Sequence, residues 1–209
     1  MGRVRASELD AVTLDSYGTL VTLVDPVPAL TAALAREGVE RERDIVARGF
    51  RTEVAHYLQY SAIGRDEAGL AVLQRDCAQV FLEAVGAELD PQEFAPVYAG
   101  AMHFELLPGV VEALDRLRSL GLALAVVANW DLTLRGLLDE IGLTPYFASI
   151  VHTAEKPAPD GLRHALAELE VEASRALHIG DDEVDEAAAL AAHMHFARAP
   201  LPAAVAALV

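Results

Sequence analysis

The rhythm of apolar positions changes twice along the chain. Ala11–Asp15 (AVTLD) is a compact apolar run closed by an acid and followed by a Ser-Tyr-Gly-Thr turn, the pattern of a short buried strand. From about Pro26 to Phe104 apolar residues recur at three- and four-residue spacings, in Ala29–Leu34, Phe50–Leu58 and Leu70–Val85, which predicts helices with no strand between them. Gly64-Arg65-Asp66 and Leu89-Asp90-Pro91 read as breaks between helices, the second with proline near a helix start. After Pro108-Gly109 the pattern alternates: helix Val110–Leu120, strand Leu122–Ala128, helix Leu132–Ile141, strand Ser149–His152 and helix Asp160–Leu169. Strand Ala176–Gly180, helix Glu183–Ala192, strand His195–Ala197 and a last helix within Pro202–Val209 complete it.

Strand–helix alternation predicts a parallel sheet covered on both faces, with right-handed crossovers. The expected fold class is α/β: a Rossmann-like, doubly wound core of residues 1–20 and 105–209, with an all-helical cap domain, residues 21–104, inserted after the first strand. A chain of 209 residues is long enough for one such core and a smaller insert.

Composition narrows the function. Hydrophobic residues make up 53% of the chain and aromatics 6%, so the apolar content is mostly dispersed Ala, Leu and Val, a globular composition. The longest apolar stretches, such as Leu122–Ala128, fall far short of the roughly 18 residues that span a bilayer. Met1–Asp10 has no apolar signal core, and the expectation is a cytoplasmic enzyme with no membrane partner. The single cysteine, Cys77, falls in a helical pattern with Leu73, Val80 and Phe81 and reads as buried filler.

A formal charge of −16 argues against a nucleic-acid partner, which would need clustered Lys and Arg. The same charge repels a small anionic substrate at long range, so an anion site must be locally positive, through a metal, a helix N-terminus or a particular Lys or Arg.

In an open parallel sheet, ligands sit outside the carboxyl ends of the strands. The polar residues there are Asp15, Asn129 and the pair Asp181-Asp182, with Lys156 in the loop after a fourth strand. Each alone is as readily a helix cap. Together, converging carboxylates repel one another and call for a cation: Lys156, a hard divalent metal, or both.

These residues carry a resemblance. Asp15-Ser16-Tyr17-Gly18-Thr19-Leu20 resembles the first motif of the haloacid dehalogenase superfamily, in the form Asp-x-Tyr-Gly-Thr-Leu. Leu107-Pro108-Gly109-Val110 is similar to the point where the cap rejoins the core, Lys156-Pro157 to the third motif, and Gly180-Asp181-Asp182-Glu183-Val184-Asp185 to the fourth. The resemblance implies that Asp15 is a nucleophile forming a covalent aspartyl ester, which splits one hard displacement into two easier steps. It implies that Thr19 shapes the loop, that Lys156 neutralises and orients Asp15 and the transferred group, and that Asp185 fixes Lys156. In the phosphotransferase branch it implies Mg²⁺ held by Asp15, the backbone carbonyl of Tyr17 and Asp181.

Four departures shape the expected activity. Tyr17 stands where most phosphatases of the superfamily carry a second Asp as general acid, and a phenol of pKa about 10 is a poor acid at neutral pH. Dehalogenases also have Tyr there, because halide leaves without a proton. Ala128 replaces the Ser or Thr of the second motif, removing one hydrogen bond to the substrate anion, worth roughly 1.5–3 kcal/mol; Asn129 has an amide that can donate in its stead. Asp181 and Asp182 stand where dehalogenases place Ser and Asn, which favours a magnesium site. Finally, Ala154-Glu155 runs straight into Lys156-Pro157, a shorter loop than usual.

In the cap, Arg51 reads either as a solvated helix arginine or as a contact for a substrate carboxylate or phosphate. Tyr57, Tyr60 and Trp130 either line an entrance or pack in the core, and His193 and His195 show no metal-site spacing. The leading expectation is a Mg²⁺-dependent phosphatase-type hydrolase of a small phosphorylated metabolite, of low activity. The alternatives are a metal-independent 2-haloacid dehalogenase and a non-catalytic ligand- or partner-binding protein on a degenerate core. Monomer and homodimer are equally compatible with the sequence.

Overall fold

In the computed structural model, residues 5–208 are described; Met1–Val4, at the start of the expected core segment, and Val209, at the end of the expected last helix, lie outside the described residues. In chain order the elements are β1 (Ala11–Leu14), β2 (Val21–Leu23), α1 (Val27–Arg36), α2 (Arg43–Tyr60), α3 (Glu67–Val85), α4 (Pro91–Ala99), β3 (Phe104–Leu106) and α5 (Val110–Ser119). They continue with β4 (Ala123–Val127), α6 (Leu134–Glu140), β5 (Ser149–Val151), α7 (Asp160–Leu169), β6 (Ala176–Gly180), α8 (Glu183–Ala191), β7 (His195–Arg198) and α9 (Leu201–Ala206). The chain forms two compact units: one runs to Thr22 and resumes at Glu105, and the other spans Leu23–Phe104.

The first unit is built on a five-stranded parallel sheet in the order β5-β4-β1-β6-β7, so β1 is central and its side chains are buried throughout. A strand buried on both faces reads as a continuous apolar run, which is why AVTL and ALAVV are legible as strands. Alternation sends Ala11, Ala125, Val127 and Ala176 to one face, where they pack with Leu162, Ala165 and Leu166 of α7 and Ala188 and Ala189 of α8. α5 and α9 contact each other and the strands β4, β6 and β7. The result is a Rossmann-like α/β layer structure with helices flanking the sheet. Among the described residues no helix is long and apolar enough to cross a membrane.

Within this apolar sheet one row is polar. Thr13 sits between Ala125 on β4 and His178 on β6, and His178 lies beside Phe196 on β7. Both polar side chains are fully buried.

Two elements were not expected. β2 and β3 pair as a separate two-stranded sheet, and Phe104, expected within the helical block, begins β3. Three-residue strands are too short to display a two-residue alternation, so nothing in the apolar pattern marks them.

The second unit is helical. Its core joins Leu30 and Leu34 of α1, Val46 of α2, Leu73, Phe81 and Leu82 of α3, and Phe94 and Tyr98 of α4. The breaks have visible causes: Asp66 caps α3 by accepting from Gly69 N, and Asp90 caps α4 from Gln92 N and Glu93 N with Pro91 following. Cys77 is buried here, 4% exposed.

Candidate active site

β1 stops at Leu14, so Asp15 stands just beyond its carboxyl end, its amide still donating to the Ile179 carbonyl of β6 at 2.9 Å. The chain then turns tightly. Gly18 takes φ of 75° and donates to the Val21 carbonyl at 2.8 Å, and a Cβ there would lie 2.2 Å from Asp181 Oδ2. A side chain at position 18 would therefore displace Asp181 as well as strain the backbone.

β6 ends at Gly180, which releases Asp181 and leaves Asp182 as the N-cap of α8. Asp182 accepts from Val184 N, and Asp185 Oδ2 accepts from Asp182 N at 3.1 Å, the reciprocal pair of a capping box. Helix capping thus accounts for Asp182, while Asp181 is exposed and Asp185 is buried. Gly180 also leaves room for Asp185, whose Cγ would be 2.4 Å from a Cβ at that position.

Lys156 joins the two loops. Its Nζ donates to Asp15 Oδ1 at 2.6 Å and to Asp185 Oδ1 at 2.5 Å, and the three side chains are 2%, 11% and 2% exposed. The short loop before Lys156 is folded by a left-handed residue, Glu155 with φ of 52°, and by Asn129. The Asn129 amide donates to the Lys156 carbonyl at 2.8 Å while its oxygen accepts from Lys156 N at 2.7 Å. With Ala154 N bonded to the Ala128 carbonyl, the loops after β4 and β5 are stitched into a ladder. One hydrogen of the Asn129 amide is thereby committed to holding Lys156, leaving one for any other acceptor.

The electrostatics follow from burial and these partners. Burial pushes the Asp15 carboxyl upward, against the pull of the Lys156 ammonium. Burial acts the same way on Asp185, but the donors His178 and Lys156 outweigh it and hold that carboxyl well below the usual range. Lost hydration, then the negative charge of Asp185, pushes Asp181 up. Burial drives His178 down, against the pull of the Asp185 carboxylate, and so favours the neutral imidazole.

Asp15, Asp181 and Asp185 each offer a carboxylate oxygen within 4.8 Å of the others, and no other such group of His, Cys, Asp or Glu occurs among the described residues. Three carboxylates facing one ammonium leave an excess of negative charge, and an all-oxygen donor set suits a hard divalent cation. Asp185 has both oxygens engaged, so Asp15 and Asp181 are the acids better placed to hold an ion.

The remaining expected residues are placed as follows. Thr19 is buried, and its hydroxyl and that of Ser16 have no protein partner. Tyr17 is half exposed. Ala128 is buried in the backbone ladder, and Trp130 is buried with its indole N–H donating to Thr133 Oγ1, which puts it in the core. Arg51 is exposed on α2, in the helical unit. His195 donates from Nε2 to the Ser174 carbonyl. Not anticipated were Arg198, whose guanidinium donates to the Asp181 carbonyl at 2.8 Å, and the pair Thr13–His178 beneath Asp185. A signal for that pair existed: a polar residue in the middle of each of two strands otherwise apolar throughout.

Comparison with known proteins gives the family and the fold. A family model for haloacid dehalogenase-like hydrolases matches residues 9–193. A phosphoglycolate phosphatase of Caulobacter vibrioides is 34% identical over 83% of this chain and 72% of its own length. Phosphoglycolate phosphatase 1 of Pseudomonas aeruginosa is 31% identical over 82% of this chain; the chain spans 63% of that protein, somewhat under two thirds of its length. In fold, the chain is similar to the L-2-haloacid dehalogenase of Xanthobacter autotrophicus, with a TM-score of 0.66 at 23% identity, covering 91% of this chain and 77% of the dehalogenase. With the family model spanning most of the chain, this protein belongs to the haloacid dehalogenase-like hydrolases.

Proposed function

We propose that the chain is a phosphatase-type hydrolase that acts on a small phosphorylated metabolite through a covalent intermediate on Asp15. The observation that carries the reading is the shared ammonium: Lys156 bridges Asp15 and Asp185 in a buried site, with a third acid, Asp181, converging on it. The names of the Caulobacter and Pseudomonas relatives make phosphoglycolate the first ester to try.

In this reading a carboxylate oxygen of Asp15 attacks phosphorus, the bond to the ester oxygen breaks, and water then hydrolyses the aspartyl phosphate. Lys156 aligns Asp15 and balances its charge, and Asp185 keeps the ammonium in place. Asp15, Asp181 and the Tyr17 carbonyl would hold Mg²⁺, which supplies positive charge opposite the phosphoryl oxygens. The departing alkoxide needs a proton. Tyr17 stands half exposed where most relatives of the phosphatase branch carry an acid, so in this reading solvent delivers that proton and turnover is slow. In the helical unit, Arg51, exposed on α2, is the proposed anion-binding residue.

Tyr17 favours a second reading, a 2-haloacid dehalogenase, in which halide leaves from carbon without a proton and Asn129 uses its remaining amide hydrogen. Asp181 argues against it, since added negative charge opposes a metal-free site for a carboxylate substrate.

Purified protein assayed on small phosphomonoesters should release phosphate with Mg²⁺ and stop when Mg²⁺ is chelated. Halide release from a 2-halo acid in the presence of chelator would establish the dehalogenase reading instead. Asp15→Asn should abolish either activity, because a neutral amide is a far weaker nucleophile. Silence in both assays from folded protein would leave a ligand-binding role on a degenerate core.

A further inference from the structure

Below the Lys156 network lies a second polar layer that the proposed chemistry does not use. His178, in the middle of β6, is 0% exposed, and its Nδ1 lies 2.8 Å from Thr13 Oγ1 on β1, two residues before Asp15. Its Nε2 lies 3.4 Å from Asp185 Oδ1, a long contact to the same oxygen that accepts from Lys156. We infer that Thr13 and His178 are positioning residues: the Thr13 hydroxyl sets the imidazole tautomer, and the imidazole N–H fixes the Asp185 carboxylate that presents Lys156 to Asp15.

The tautomer follows from elementary constraints. A neutral imidazole carries one N–H, and its other nitrogen offers a lone pair. If the proton sat on Nδ1, the Nε2 lone pair would face a buried carboxylate with nothing between them. With the proton on Nε2, the ring donates toward Asp185 and Nδ1 accepts the Thr13 hydroxyl proton. Both buried polar groups are then satisfied, which an unpaired hydroxyl or imidazole in this sheet would not be.

Asp185 Oδ2 accepts from the Asp182 amide and Oδ1 from Lys156, and His178 adds a further donor to Oδ1 from within the sheet. The opposite flank of the imidazole is apolar, with the Phe196 ring centroid 6.4 Å away. At metal sites an outer partner that orients a ligand is worth roughly 10- to 100-fold in affinity or activity, and the same order is expected for a residue that orients Asp185.

This inference rests on the reading of Asp15 as the nucleophile, and its test separates the two. Nitrogen-15 imidazole NMR of the full chain, with His178 assigned by loss of its signals in His178→Gln, should show a neutral ring protonated on Nε2. In Thr13→Val both tautomers should be populated. With p-nitrophenyl phosphate and Mg²⁺, His178→Met should lower kcat by roughly 10- to 100-fold with little change in KM, whereas His178→Gln, whose amide N–H can still donate toward Asp185, should recover most of it. An Nδ1-protonated ring in the wild type, or a folded His178→Met protein turning over at the wild-type rate, would overturn the inference. Should the wild type hydrolyse no monoester, the phosphatase reading fails by itself. The inference is then decided by the tautomer spectrum and by the melting temperatures of His178→Met, Lys156→Met and their combination: losses less than additive support it, and additive losses refute it.

Discussion

Replacing Lys156 by methionine keeps most of the side chain's bulk but strips the charge from a buried network. Both carboxylates lose their cation, and with Asp185 2% and Asp15 11% exposed, water cannot take its place. Removing one partner of a buried pair costs about 3–5 kcal/mol, against roughly 0–1 kcal/mol for an exposed one. In a protein of this size each kcal/mol moves the melting temperature by about 2–4 °C, so the variant should melt roughly 6–20 °C lower at pH 7. The pH dependence follows from the Asp185 carboxyl, which its donors hold below its ordinary value of 3.8. A depressed carboxyl contributes stability above its unfolded value that is lost as pH falls through the folded one. Without Lys156 the ammonium's share of that contribution is missing while that of His178 remains, so the gap between wild type and variant should be widest near neutrality and narrow below about pH 4. Melts followed by circular dichroism at pH 7 and at about pH 3 would measure it. Combining Lys156→Met with Asp185→Asn should recover part of the loss, as expected for directly coupled groups. Equal melting temperatures at pH 7, a gap that widens in acid, or strictly additive losses would refute the account of a charge-coupled site.

Three further outcomes follow from other parts of the molecule. Saturating Mg²⁺ should raise the melting temperature, by about 2.7 kcal/mol of linkage at a hundredfold excess over its dissociation constant, and Asp181→Asn should remove most of that gain in a thermal-shift titration. Gly18→Ala should both destabilise the fold, by about 1 kcal/mol or more for a left-handed residue, and blunt the Mg²⁺ response, since its Cβ would meet Asp181 Oδ2 at 2.2 Å; an unaltered Mg²⁺ response would count against the tight turn as the support of Asp181. In the helical unit, Glu53 is buried and accepts from Tyr98 at 2.6 Å, and burial raises its carboxyl above 4.5. A raised carboxyl favours the fold below its unfolded value and loses that advantage as pH rises through the folded one, so Glu53→Gln should gain stability relative to wild type between pH 4.5 and neutrality in denaturant titrations.

The parts of this protein legible in its sequence are those that local rules govern. Strands buried on both faces are largely apolar, helices carry apolar stripes, and breaks interrupt them, so β1, β6, α7 and the breaks at Gly64-Arg65-Asp66 and Leu89-Asp90-Pro91 could be placed from pattern alone. Asp15, Lys156 and Asp181 could be named because each follows the carboxyl end of a strand, where open parallel sheets bind ligands, whereas Asp185, inside α8, was named only through the motif resemblance. Strands as short as β2 and β3 escaped, because three residues cannot show a period and their pairing is non-local.

Only the tertiary structure decided how the named residues divide the work. Asp182 and Asp185 reciprocally cap α8, yet Asp185 also takes Lys156, a difference set by which way each carboxylate turns and invisible in the spacing. Asn129, a substrate donor by resemblance, also commits one amide hydrogen and its oxygen to the Lys156 backbone, clamping the short loop that carries the ammonium to Asp15. The pairing of Thr13 with His178 depends on strand order: residues 165 positions apart become neighbours only because β6 lies beside β1 in register. Sequence fixes which groups are present and on which element each one sits; their partners are set by strand order and the burial that forces each polar group to find one.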